Sequence, residues 1–274
     1  MNDYRRWEDY FWPDAPDVLR NKLGIRDQRM LNFVEAQLSA VRIYEQVLEN
    51  RTGAFNFAHY CDIHRRTFSD IFDWAGIPRT VPDGPMTKRH RDVVNFLIDD
   101  PNAPTTEYRY RPGPQVRDSA EYVFARLQAE DALSGLPPEQ FIRRLGTYWG
   151  SVDSVHPFRG GNTRTETVFF HQLCRNAGYD LGAERLYARR TEFVAARFHG
   201  HATGDRYRRL TALLTETVEV RPSRELTARE TSWAQGLYQS AEQNADLLRR
   251  VQQQRSRREE GPSLAWLDPA KPGF

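Results

Sequence analysis

The amino-acid sequence predicts an all-α protein, because apolar side chains recur at helical spacing along most of the chain. Glycines and prolines gather at the ends of the periodic segments, where helices stop. Only one short stretch, from Thr106 to Tyr110, has a composition typical of a β-strand. We therefore expect a bundle of helices with one small β-hairpin.

Two helices are predicted in the N-terminal part of the chain. Asp27 is a candidate N-cap for the first, whose apolar stripe runs from Leu31 to Leu48. The second has a stripe from Phe57 to Phe72, and Gly76 is suited to the left-handed backbone that ends many helices. Residues 78–87 hold three prolines and one glycine, which excludes a regular helix there.

The rest of the chain continues the helical pattern. Further helices are predicted at about 115–133, 138–154, 162–178, 187–199 and 204–219. Residues 1–220 are expected to form the main domain. The polar, helix-prone stretch 221–260 predicts a C-terminal helical extension. Residues 261–274 hold three prolines and two glycines, and this composition predicts a disordered tail.

Composition excludes several classes of protein. The net charge is only +2, and acids interleave with arginines, so a nucleic-acid-binding face is not expected. No apolar run approaches the roughly 18 residues of a membrane span. Two cysteines, Cys61 and Cys174, do not form a disulfide framework, and the charged N-terminus lacks a signal peptide. We expect a cytoplasmic protein.

The segment HPFRGGNTR, residues 156–164, groups residues that suit phosphate chemistry. His156 follows a predicted helix, Pro157 ends that helix, and Phe158 is an apolar anchor for the loop. A histidine held in this way can serve as a general base. Taken alone, however, a histidine at a helix end is usually structural.

The second half of this segment predicts an anion site. Gly161, Asn162 and Thr163 open the next helix, where unpaired backbone amides favour a phosphate. Arg164 lies one turn further and can bind the same anion with two donors. The alternative for Asn162 is that it only caps the helix.

The segment resembles the signature of the Fic family, H-x-F-x-[D/E]-G-N-x-R-x-x-R, over residues 156–167. The resemblance extends over about residues 10–220, through Val18–Asp27, Asp62–Val81 and Val168–Leu181. It implies the Fic fold, a helical bundle with a small β-hairpin flap, here at about residues 79–91. It also implies a bacterial protein of the toxin and effector branch, active in the cytoplasm or delivered to another cell.

The family resemblance implies a nucleotidyltransferase, a protein adenylyltransferase that moves AMP from ATP to a Ser, Thr or Tyr hydroxyl of a target protein. His156 would activate that hydroxyl, and Arg164 would bind a distal phosphate. The α-phosphate would contact Gly161, Asn162 and Thr163. The flap residues that dock the target would be Arg79, Thr80 and Val81.

Two positions depart from the signature. Gly160 replaces the acid that binds Mg²⁺, so no metal ligand is assigned, and Mg²⁺ binding should be weak or absent. Thr167 replaces the second arginine. The inhibitory pattern of the family's antitoxins or self-inhibitory helices matches residues 256–261, with Glu260 as its glutamate. The alternative there is a solvated helix end.

Three functions are therefore compatible with the sequence. The first is AMP transfer, impaired by the missing metal ligand. The second is a degenerate Fic domain that only binds a protein or a nucleotide. The third is altered chemistry with another nucleotide or with a phosphate-containing donor, since a shared fold does not establish shared chemistry.

Overall fold

A computed structural model describes residues 4–49, 53–80 and 86–221. These described residues form eight α-helices and six short strands, which confirms the all-α prediction. The chain groups into two compact units. Among the described residues, one unit comprises residues 4–48 and 65–76, and the other comprises 49, 53–64, 77–80 and 86–221. The whole HPFRGGNTR segment lies in the second unit.

The first unit begins with an element that the sequence analysis missed. A 3-10 helix at Trp7–Tyr10 leads into strands β1, Phe11–Trp12, and β2, Ala15–Leu19, which pair antiparallel. Helix α1, Gln28–Leu48, follows. Asp27 caps it as predicted, since the Met30 amide donates to Asp27 Oδ1 over 2.7 Å.

Helix α2, Phe57–Phe68, ends earlier than predicted. The prediction extended it to Gly76 because Ile71 and Phe72 continue the apolar stripe. Both side chains are buried, but the backbone from residue 69 to residue 76 forms turns. Gly76 does have the expected left-handed conformation, with φ of 78°. The apolar stripe therefore marks side chains that remain buried after the helix has ended.

The second unit contains the hairpin. Strand β3, Thr87–Arg91, pairs antiparallel with strand β4, Thr105–Arg109, and Lys88 lies opposite Tyr108. The predicted strand at 106–110 is confirmed to within one residue. The hairpin extends beyond the predicted flap at about 79–91, because its second strand comes after a loop of residues 92–104.

Six further helices of the second unit follow the hairpin, and α6 was not predicted. They are α3 at Gly113–Ala129, α4 at Pro138–Val155, α5 at Asn162–Asn176, α6 at Ala183–Ala188, α7 at Arg190–Thr203 and α8 at Arg208–Thr217. Strands β5, Tyr179–Asp180, and β6, Glu219–Val220, pair antiparallel beside them. The core consists of buried aromatic and aliphatic side chains of these helices.

Close packing of α4 on α7 depends on two glycines. The ring of Tyr207 occupies the space where a Cβ atom of Gly150 or Gly200 would lie. Tyr207 itself has a left-handed backbone, with φ of 59°. A larger residue at either glycine would collide with the ring, so the position of α4 beside α7 is fixed by steric fit.

Predictions for the C-terminal part lie outside the described residues. These are the helical extension at 221–260, of which only Arg221 is described, and the tail at 261–274. Among the helices that the structure describes, none is long and apolar enough to cross a membrane.

Candidate active site

The site begins where α4 ends. His156 is the C-cap of α4, and its amide donates to the Val152 carbonyl over 3.1 Å. Its backbone is left-handed, with φ of 49° and ψ of 62°, a conformation that costs a non-glycine residue about 1 kcal/mol. Pro157 follows and cannot continue the helix. The chain therefore leaves α4 with the histidine in one fixed orientation.

Arg79 fixes this loop by hydrogen bonds. Its Nε donates to the His156 carbonyl over 2.8 Å, and its Nη2 donates to the carbonyls of Arg111 and Val155 over 2.7 and 3.1 Å. Its own amide donates to the Pro157 carbonyl over 2.8 Å. The residue is only 1% exposed. The prediction that Arg79 docks a target does not fit this geometry, because its donors bind the loop.

The other two predicted flap residues differ in what the structure describes. Thr80 is exposed and free to meet a partner surface. Val81 lies outside the described residues.

Phe158 anchors the loop, as expected. It is fully buried, and its ring stacks on His64 with centroids 3.7 Å apart and on Tyr60 with centroids 5.6 Å apart. The Asn162 side chain bridges the same residue, accepting from the Phe158 amide over 2.9 Å and donating to its carbonyl over 2.8 Å. Asn162 therefore shapes the loop through its side chain.

The two glycines of the loop have different conformations. Gly161, with φ of 77°, is the N-cap of α5, and no side chain caps this helix by a hydrogen bond. Gly160 is not among the residues with positive φ. His64 Nε2 lies 3.0 Å from the Gly160 carbonyl. Burial lowers the pKa of His64 to about 3, so the ring is neutral and donates this bond.

The ring of His156 is buried beneath Tyr110. The two rings stack with centroids 3.9 Å apart and planes 18° apart, and His156 is 1% exposed. Burial, followed by the charges of Lys88, Arg79 and Arg197, holds the pKa of His156 well below its usual range. The imidazole is therefore neutral at pH 7, and in this arrangement it is a weaker proton acceptor than a solvent-exposed histidine.

A buried ion network lies beside His156. Arg197 Nη1 on α7 donates to Asp153 Oδ1 over 2.9 Å and to Glu166 Oε2 over 2.8 Å. Trp149 Nε1 donates to the same Glu166 oxygen over 3.2 Å. Two acids face one guanidinium, so burial and the Asp153 charge raise the pKa of Glu166 to about 8.

The ion network lies close to His156 and also contacts the first turn of α5. His156 Nδ1 faces Asp153 Oδ1 at 3.9 Å, which is longer than a hydrogen bond. The Arg197 guanidinium also donates to Thr163 Oγ1 over 3.3 Å. The buried network therefore contacts the first turn of α5 and lies beside the base without a hydrogen bond to it.

A cavity of about 350 Å³ opens between β3, α7 and the first turn of α5. Its walls carry cationic and aromatic side chains together with one acid. They are Lys88, Arg89, His90, Tyr110, Asp153, Thr163, Val194, Arg197 and Phe198.

Comparisons with known proteins identify the family. The Fic/DOC family model matches residues 54–174. The probable protein adenylyltransferase y4lH of Sinorhizobium fredii is 31% identical over 191 residues, which cover 69% of this chain and 88% of that protein. The chain belongs to the Fic/DOC family.

Other relatives agree with this assignment. Protein adenylyltransferase VbhT of Bartonella schoenbuchensis is 32% identical over 186 residues, which span 68% of this chain but only 35% of that protein. Among solved structures, the BepC protein of Bartonella tribocorum with bound AMPPNP has a TM-score of 0.64 at 20% identity. That match covers 80% of this chain and 99% of BepC, and it confirms the Fic fold.

The side chains do not fit the Mg²⁺ site that the Fic signature implies. Gly160 has no ligand atom. Asp153, His156 and Glu166 have potential ligand atoms within 4.8 Å of one another, but both acidic side chains already contact the Arg197 guanidinium. A metal there would meet a fixed positive charge. Thr167 also differs from the signature, and its Oγ1 donates to the Thr163 carbonyl over 2.9 Å.

The structure brings together most of the residues predicted from the motif. His156, Pro157, Phe158, Gly161, Asn162, Thr163 and Arg164 occupy one loop and the first turn of α5. Glu260 lies outside the described residues. The sequence analysis missed the site roles of His64, Lys88, Tyr110, Asp153, Glu166 and Arg197. No sequence pattern links Asp153 and Glu166 to Arg197.

Proposed function

We propose that this Fic domain transfers AMP from ATP to a Ser, Thr or Tyr hydroxyl of a protein. The observation that carries the proposal is a neutral, buried His156 fixed directly before the open N-terminus of α5. This geometry supports a base and an anion site on one short loop. ATP as the donor is supported by the names of the relatives and by the nucleotide bound in BepC.

The reaction needs one proton acceptor and one anion site. His156 takes the proton of the target hydroxyl through Nε2, since Nδ1 faces Asp153. The hydroxyl oxygen then bonds to the α-phosphorus, and the bond from that phosphorus to the bridging oxygen breaks. Pyrophosphate leaves with the electron pair. The amides of Gly161, Asn162 and Thr163 stabilise charge on the α-phosphate, and Arg164 binds a more distal phosphate.

Preorganisation is the main contribution of the protein scaffold. Arg79 and Asn162 fix the loop before substrate arrives, so little free energy is spent on ordering the base and the amides. The missing metal ligand and second arginine remove positive charge that would stabilise the transition state. We therefore propose slow transfer with little dependence on Mg²⁺.

Incorporation of label from ATP tests this function. The purified protein is incubated with a bacterial and a eukaryotic lysate and with ATP labelled at the α-phosphate or, in parallel, at the γ-phosphate. AMP transfer labels a protein only from the α-labelled donor. Label from the γ-labelled donor would instead indicate phosphate transfer. ATP binding without any incorporation would contradict the proposal.

A second candidate is a degenerate domain that binds nucleotide or protein without transfer. Gly160, Thr167 and the ring of Tyr110 over His156 favour it. The two candidates differ in one measurement, since a binding module retains ATP affinity but labels no protein. Control by an antitoxin or a self-inhibitory helix is also a proposal, with Glu260 as the candidate contact.

A further inference from the structure

Nucleotide transfer requires positive charge around the phosphates, and most cations near this site are already engaged. Arg197 pairs with Asp153 and Glu166. Arg79 is buried and binds loop carbonyls. Gly160 has no side chain that could bind a metal ion. Arg164 is assigned to a more distal phosphate, so a triphosphate bound to the α5 amides would still need a cation for its β-phosphate.

Lys88 is one cation in a position to meet this need, and Arg89 beside it also lines the cavity. Lys88 is exposed on β3, and its ammonium lies 5.7 Å from the ring centroid of Tyr110, the residue that stacks on His156. It forms no ion pair or hydrogen bond with any of the residues the structure describes. Its charge is also the strongest of those that lower the pKa of His156.

The cavity connects Lys88 to the phosphate site. Lys88 and Thr163 line the same space of about 350 Å³, and Thr163 belongs to the first turn of α5. A water molecule takes about 30 Å³, so this space is large enough for a diphosphate. A phosphate held by the α5 amides and the Lys88 ammonium would therefore face the same cavity.

We infer that Lys88 binds the β-phosphate of the nucleotide and neutralises the departing pyrophosphate in place of a metal ion. This inference rests on the proposed function and names a residue outside the signature. In the transfer step, the bond between the α-phosphorus and the bridging oxygen breaks, and negative charge develops on the β-phosphate. The interaction between the Lys88 ammonium and the β-phosphate becomes stronger as this negative charge grows.

Calorimetric titration in EDTA tests the inference with ATP, ADP, AMP and pyrophosphate as separate probes. Lys88→Gln should weaken ATP, ADP and pyrophosphate binding by about tenfold, the usual effect of losing one charge-assisted hydrogen bond. AMP, which has no β-phosphate, should bind as before. Lys88→Arg should retain most of the affinity.

Arg109→Gln is the matched control. Arg109 lies on β4 of the same hairpin, its side chain is 83% exposed, and the change removes the same single charge. Equal losses for Lys88→Gln and Arg109→Gln, or an equal loss of AMP affinity, would overturn the inference.

The outcomes separate this inference from the proposed function. If Lys88→Gln binds the probes and transfers AMP as well as the parent does, the role of Lys88 is refuted and the proposed function stands. A parent protein that binds none of the four probes refutes both. The pattern that supports both is transfer by the parent, with loss of ATP but not AMP affinity in Lys88→Gln.

Discussion

The imidazole of His156 lies flat against the phenol ring of Tyr110, with ring centroids 3.9 Å apart. Tyr110 directly follows β4, so a residue of the hairpin covers the proposed base. His156 is 1% exposed in this arrangement. The Tyr110 ring therefore covers one face of the imidazole.

Removal of the covering ring should expose the base. In Tyr110→Ala, we expect diethyl pyrocarbonate to modify His156 at least about tenfold faster than in the parent, because the reagent attacks accessible neutral imidazoles. Site-resolved mass spectrometry measures the rate. His199 provides an internal reference, and an equal acceleration there would indicate general loosening. No acceleration at His156 would show that another group protects it.

Loss of the imidazole should abolish transfer but leave nucleotide binding intact. His156→Ala and His156→Asn both remove the base, because neither side chain can accept a proton at pH 7. Asn tolerates the left-handed backbone at this position, so it controls for loop distortion. We expect no incorporation of AMP in either variant, with ATP affinity within about threefold of the parent. Incorporation that survives in His156→Asn would exclude His156 as the base.

Restoration of the signature residues should increase transfer. Gly160→Glu supplies a carboxylate, and Gly160 is not among the positive-φ glycines, so this change carries no left-handed strain. Thr167→Arg adds a cation to α5, where arginine is a better helix former than threonine. The double variant should incorporate AMP more than about tenfold faster in Mg²⁺, with a gain larger than the product of the single gains. Melting temperature is measured in parallel. A folded double variant without gain would support the binding-module candidate.

Glu166→Gln should stabilise the fold, and more so at high pH. The pKa of Glu166 is raised to about 8 in the native state from a reference value of 4.5. The native state thus retains a proton that the unfolded state loses, so stability falls as the pH rises from 4.5 to 8. Glutamine avoids this loss while still accepting the bonds from Arg197 and Trp149. We expect the gain in melting temperature to be larger at pH 8.5 than at pH 6.

The exposed Glu121 on α3 provides the control for this measurement. Glu121→Gln removes the same charge at the surface and should change the melting temperature little at either pH. A gain for Glu166→Gln that is equal at both pH values would mean that Glu166 is ionised throughout this range.

The sequence predicted those parts of the site that depend on local spacing. His156, Phe158 and the α5 amides are neighbours along the chain, so a motif of nine residues places them. The cap at Asp27 and the second strand of the hairpin were found for the same reason. The domain boundaries and the roles of the motif residues stay predictions.

Long-range contacts could not be predicted from spacing. The bond between His64 and the Gly160 carbonyl joins residues 96 positions apart, and Arg197 meets Asp153 across 44 positions. Arg79 was assigned to target docking because its neighbours resemble a flap. Its burial under the motif loop follows from packing of the helices, which no local pattern encodes.

The position of Lys88 and Tyr110 on a single hairpin has a consequence for fidelity. ATP in a site with an uncovered base is open to attack by water, the most abundant hydroxyl in the cell. The Tyr110 ring covers one face of the imidazole, and His156 has almost no contact with solvent. Under the proposed function, a base kept from solvent in this way would activate little water, and bound ATP would be protected from hydrolysis.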